Sequence, residues 1–252
     1  MIYSLSTRSL CIFLAAISSL ATAQNQAPAN AAAPPTVEQP TVETDPSVKK
    51  IDESRYDIGG IIIDQKLREI RFPAKVNMPE GLLEFIVVHS RGKLHESLLL
   101  TEISPTKLNL AFTLLRYPPS RELYALPNDR GGESNDYPEV PAETKAAARV
   151  KIEVEWQDGD SLKRFPINDW IQHTTTTLAM PPGPWVYGGS QVQDGKYAPE
   201  ISGDIVAVFL SGSSIVNYPG ADNRDDTVWI AFPKRVPPEG TDVTVIISPY
   251  AN

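Results

Sequence analysis

The chain has 252 residues, with 23 Lys and Arg against 31 Asp and Glu, and a formal charge of −8. Such a chain is poorly suited to nucleic acid or anionic lipid, because both are held by clustered Lys and Arg. One cysteine, Cys11, and three histidines leave little material for thiol or metal chemistry.

The first residues read as an export leader. Arg8 carries the positive charge, residues 10–20 are an apolar run, and Ala21-Thr22-Ala23 is a small-x-small cleavage site before Gln24. The run is too short for a bilayer span, which takes about 20 residues, and no later stretch is long and apolar enough. The expectation is a signal peptide at 1–23, export to the periplasm or the outside, and no membrane span after cleavage. Cys11 would leave with the leader. The exported part then holds no disulfide, thiolate zinc site or iron–sulfur cluster. Cleavage also removes Arg8 and no acidic residue, so the exported part is more acidic still.

Residues 24–55 read as a disordered tether. They hold Pro28, Pro34, Pro35, Pro40 and Pro46 and an alanine run, and through Arg55 no aromatic residue. Little apolar surface is available to offset the entropy of ordering them. The span 56–252 reads as one domain, large enough to hold itself by its core.

Within the domain, residues 60–64 are β-rich and 68–72 alternate polar and apolar, as a half-buried strand does. Residues 82–89 predict a buried strand that turns at Ser90-Arg91-Gly92-Lys93 and returns as 95–100. Ser104-Pro105 predicts a helix start, with Ser104 as cap and Pro105 at the first position. Leu108, Ala111, Phe112 and Leu115 give that helix one apolar face, and Pro118-Pro119 ends it. Residues 121–148 read as an irregular insertion, more disordered segment than active-site lid. Residues 151–156 alternate with Ile152, Val154 and Trp156 inward, and Asp158-Gly159 marks a hairpin. A short helical turn is expected at 167–171 and strands at 185–189, 205–210, 227–232 and 243–247. Residues 205–210 are apolar on both faces, which makes that strand central. The phrase Phe72-Pro73-Ala74-Lys75-Val76 is echoed by Phe232-Pro233-Lys234-Arg235-Val236, a candidate internal repeat. The fold class is mainly β (α+β): an antiparallel β-sandwich or a partly open barrel with one packed helix.

No catalytic set is recognisable. There is no Gly-x-Ser-x-Gly elbow and no His-Glu-x-x-His helix. His89 and His95 flank one tight turn, and strand register decides whether they cooperate. With a loop of Arg91-Gly92 they point to opposite faces; with Arg91-Gly92-Lys93 they pair and could share a divalent metal. His95 and Ser97 would share a strand face, with Glu96 on the other. Asp222, Asn223, Asp225 and Asp226 form an acidic loop that lacks the spacing of a calcium loop. Trp185, Tyr187 and Tyr218 lie beside Gly- and Pro-rich turns, where exposed aromatics could meet a ligand.

Several phrases together resemble the YdjY-domain family of exported bacterial proteins. They are Phe72-Pro73-Ala74-Lys75-Val76-Asn77, Gly92-Lys93-Leu94-His95-Glu96-Ser97-Leu98-Leu99, Trp185-Val186-Tyr187-Gly188-Gly189-Ser190, Ser214-Ile215-Val216-Asn217 and the ending Val236-Pro237-Pro238-Glu239-Gly240-Thr241. The resemblance covers residues 58–250. It implies export and the extent of the domain, points to His95, Glu96 and Ser97, and adds no reaction. Some members carry iron–sulfur or ferredoxin-like names, a reading this chain departs from for want of cysteine. The functional expectation is a non-catalytic envelope domain. It would bind a small ligand or an envelope partner through His95, Glu96, Ser97, Trp185, Tyr187 and Asn217, without a cofactor. The alternative is a metal-dependent enzyme or metal-binding protein using His95 with His89 or Glu96.

Overall fold

The computed structural model describes residues 48–130 and 132–251. The expected leader and all but the last part of the expected tether lie outside the described residues. Among the described residues, no helix is long and apolar enough to cross a membrane.

The sheet begins inside the span read as tether. Strands β1 (Val48–Lys50), β2 (Arg55–Ile58) and β3 (Ile62–Asp64) form an antiparallel ribbon that runs into β4 (Glu69–Val76). Strand β5 (Phe85–His89) and strand β6 (Ser97–Thr101) follow, then helix α1 (Pro105–Leu114). Ser104 caps α1 as expected, its Oγ accepting from the Lys107 amide at 3.3 Å. Leu108, Ala111 and Phe112 turn inward, and Phe112 stacks on Tyr187 at 4.2 Å. The insertion is not structureless. It holds the short helix α2 (Ala142–Ala147), and Glu122 at its start pairs with Arg149 at 2.7 Å.

Next come β7 (Arg149–Asp158) and β8 (Ser161–Pro166), joined at Asp158-Gly159, where Gly159 takes φ +58°. A 3-10 turn at Ile167–Trp170 leads to β9 (Ile171–His173), then β10 (Trp185–Tyr187), β11 (Val192–Gln193) and β12 (Lys196–Tyr197). Helix α3 (Ala198–Ser202), β13 (Asp204–Ala207), β14 (Val216–Asn217), β15 (Trp229–Ala231) and β16 (Asp242–Pro249) complete the order. The echo of the first Phe-Pro phrase is not structural: Phe72–Val76 lies on β4, whereas residues 232–236 form a turn between β15 and β16.

The architecture is mainly β, but it is not a sandwich. Eight strands close on themselves in the order β4, β16, β7, β10, β14, β13, β5, β6 and back to β4. Closure is made by Lys75 opposite Leu100 and Val76 opposite Leu99. Two long strands allow this because each divides one edge between two neighbours. Residues 69–71 of β4 pair with β3 and residues 75–76 with β6. Pro73, which has no N–H to donate, sits at the changeover. Its carbonyl accepts from Thr101 Oγ1 at 2.6 Å. On β7, Val150 and Arg149 pair with β10 and residues 153–158 pair with β8.

The barrel is also mixed rather than antiparallel. β5 runs parallel to β6, and β13 runs parallel to β14. Parallel neighbours usually need a crossover of about a dozen residues or more. Here the short segments 90–96 and 208–215 do the work. The turn that leads into β13 meets the first of these crossovers through backbone contact. Gly203 takes φ +82°, and a Cβ on it would lie 2.8 Å from Gly92 Cα. The His89 amide donates to the Gly203 carbonyl at 2.8 Å in the same place.

Inside, Ile152, Val154 and Trp156 of β7 face the core as their alternation predicts, and β13 is buried along its length as its apolar run predicts. Outside, β4, β7 and β8 carry a ladder of charges. Arg71 bridges Glu69 and Glu155, and Arg164 bridges Glu153 and Glu69.

Candidate functional site

The crossover from β5 to β6 carries the most specific phrase of the sequence, and its geometry differs from the hairpin expected. Because the strands are parallel, neither hairpin register exists. His89 ends β5 opposite Thr101, while His95 sits in a 3-10 turn, Leu94–Glu96, that leads into the start of β6. A strand length separates the two, so the expected metal pair is not formed. His89 is buried, and its Nδ1 accepts from the Arg91 amide at 3.1 Å and from Arg91 Nε at 3.3 Å. It folds the crossover back on itself. Among the described residues, no group of three or more His, Cys, Asp or Glu could hold a metal ion.

Four of the six residues expected to meet a ligand are interior. Ser97 is fully buried, and its Oγ donates to the Lys93 carbonyl. Trp185 is fully buried, with Nε1 donating to Asn168 Oδ1 at 3.1 Å. Tyr187 is buried against Phe112, and its Oη donates to Asn109 Oδ1 at 2.8 Å. Asn217 donates to Tyr124 Oη at 2.7 Å and accepts from the Ser211 amide at 2.9 Å. Buried polar groups with partners inside the chain are occupied by the architecture. These four hold the barrel, and His95 and Glu96 are the two that line an open groove.

His95 and Glu96 line a groove of ≈ 360 Å³ together with Glu84, Asp226, Met78 and Leu82. Glu84 lies just before β5 and Glu96 just before β6. The parallel register places Phe85 beside Ser97, and so brings these two acids together. Lys93 Nζ lies 3.8 Å from Glu84 and 3.4 Å from Glu96, and also 4.8 Å over the Phe85 ring. His95 Nε2 is 3.6 Å from Glu96, and its side chain is 80% exposed. Burial pushes the Glu84 carboxyl above its ordinary range. The neighbouring Glu96 adds to this, Asp226 adds a little more, and Lys93 opposes it. Three carboxylates against one ammonium make the groove a place for positive charge.

Sequence reasoning passed over Glu84 and Asp204. Glu84 shows no local signal, since only the parallel register brings it to Glu96. Asp204 heads the apolar run of β13 and is 2% exposed. Burial raises its carboxyl pKa, against the partial relief of Lys93 and the hydroxyls of Ser202, Ser213 and Ser211. Its Oδ1 has no partner, nor has Ser214 Oγ nearby in sequence to β14. A charged residue opening an otherwise apolar strand was the available clue.

Fold and groove together define a closed, mixed β-barrel domain with an acidic cleft beside a short parallel crossover. The model of the YdjY domain matches residues 61–248, and the chain belongs to that family. Neither the curated proteins nor the solved structures compared with the chain gave a match.

Proposed function

We propose that this chain is an exported, non-catalytic binding domain whose ligand is a small organic cation held in the groove of Glu84, Glu96, Asp226 and His95. The observation that carries the reading is the Glu84–Glu96 pair. Two part-buried carboxylates are kept together at a cost that Lys93 relieves only in part and a bound cation would relieve further, since an opposite charge favours both ionised forms. A groove of ≈ 360 Å³ is on the scale of a small-molecule site rather than a protein interface. Met78 and Leu82 supply apolar wall for the body of such a ligand. Export rests on the leader pattern of residues 1–23, and the net acidity of the chain agrees with a cationic ligand.

Calorimetric titration of the purified chain with spermidine, and with arginine amide as a second probe, tests this. One-site binding that weakens with salt is expected, and Glu84→Gln with Glu96→Gln should abolish it. Absence of binding by both probes, or binding indifferent to the double substitution, refutes the reading.

A further inference from the structure

A second cavity shares no lining residue with the acidic groove and is walled by aromatic rings. It measures ≈ 430 Å³ and is lined by Trp156, Phe165, Trp170, Lys163, Arg235 and Asp169. Its walls come from β7, β8, the 3-10 turn after β8 and the turn before β16. Trp156 meets Phe165 at 5.7 Å and Trp170 edge-on at 5.1 Å, so three rings form one apolar wall. Phe165 stands on an exposed edge strand and is 42% exposed. A large aromatic left open beside two tryptophans offers a stacking surface that the fold itself does not use.

The charges at the mouth select the ligand. Lys163 pairs with Asp158. Arg235 makes no ion pair among the described residues. Its guanidinium lies 3.8 Å over the Phe232 ring, and Nη1 donates to the Asp169 carbonyl at 3.3 Å. That arrangement fixes the plane of the guanidinium and leaves donors free for a planar anion. Asp169 contributes one carboxylate against the two cations. With Asp158 on Lys163, two carboxylates meet two cations, and Arg235 is the cation left without an acidic partner among the described residues. We infer that this cavity binds a small anion with a flat, apolar body, such as an aromatic carboxylate or sulfonate. Phe165 takes the ring, backed by the buried Trp156 and Trp170, and Arg235 takes the anionic head.

The probe is 8-anilinonaphthalene-1-sulfonate, followed by energy transfer from tryptophan to the bound dye. Its neutral analogue N-phenyl-1-naphthylamine is the control for the ring body alone. Saturable binding to a single site is expected. Arg235→Gln should weaken the sulfonate by about tenfold and leave the neutral analogue unchanged. Phe165→Ala should weaken both. Melting temperatures of the variants establish that they are folded, and if Arg235→Gln does not fold, Lys163→Gln on the exposed strand replaces it and should weaken only the sulfonate. Absence of saturable binding overturns the site, as does indifference to Phe165→Ala. Equal binding of the neutral analogue, or a sulfonate affinity unmoved by the charge substitution, overturns the preference for an anion.

Discussion

The Glu84 amide donates to the Glu96 carbonyl at 3.0 Å, and that backbone bond sets two carboxylates side by side at the head of a parallel strand pair. The Glu96 charge is one of the causes that raise the Glu84 carboxyl. In the folded chain Glu84 holds its proton to higher pH than the ordinary 4.5. Its contribution to stability is therefore full below that value and lost as pH rises through the raised folded value. Glu96→Gln should move the Glu84 titration downward without restoring it fully, because burial persists. Side-chain carboxyl NMR across pH reads this directly. A Glu84 midpoint that does not move would mean that the two carboxyls are not coupled.

Asp204 is predicted to oppose folding near neutral pH. Its folded pKa is raised above 3.8 by burial, so stability falls as pH climbs from that value through the raised one. Asp204→Asn removes the charge and keeps the shape. The variant should melt no lower than the parent at pH 7 and should show a flatter dependence of melting temperature on pH. A large loss of stability at pH 7 would instead mark the ionised carboxylate as a needed partner of Ser211 and Lys93.

Trp185 and Asn217 should behave as structural residues. Trp185→Phe leaves Asn168 Oδ1 without its donor and opens space in the core, at about 2–4 kcal/mol. Asn217→Ala strands the Ser211 amide and Tyr124 Oη, at about 2–3 kcal/mol. Chemical denaturation measures both. Either variant, while folded, should bind spermidine as the parent does, and selective loss of that binding would return these residues to the site.

Gly203→Ala meets two penalties at once. The left-handed backbone costs a residue with a Cβ about 1–2 kcal/mol, and the new methyl would press on Gly92 Cα at 2.8 Å. Expected destabilisation is about 3 kcal/mol or more, read from denaturant midpoints. A neutral result would mean that the Gly203 turn is not tightly apposed to Gly92.

Local signals were legible where local chemistry decides the structure. Ser104-Pro105 starts a helix because a hydroxyl and a ring act within one turn. Ile152, Val154 and Trp156 face inward because the strand period is fixed by the backbone. The failures are all non-local. Nothing within residues 85–101 distinguishes a hairpin from a parallel crossover, and the difference lies in β13, which pairs with β5 far along the chain. The same gap hid the groove, since Glu84, Glu96 and Asp226 are brought together by that register and by a distant loop. Trp185 and Tyr187 sit beside Gly- and Pro-rich turns, a setting that allows either a ligand-facing or a core role, and their N–H and O–H find partners in the core.

Closing the barrel leaves β1 and β8 as the strands of the large sheet with a single neighbour among the described residues. Each invites a strand from another molecule. β1 carries Lys49 and Lys50, and β8 carries Lys163, Arg164 and Pro166. Like charges would face one another if two copies met edge to edge, and the proline would leave a rung unfilled. These residues should discourage ribbon-to-ribbon association between copies, and substituting Lys49, Lys50 and Lys163 by Thr should expose that tendency as fibre growth.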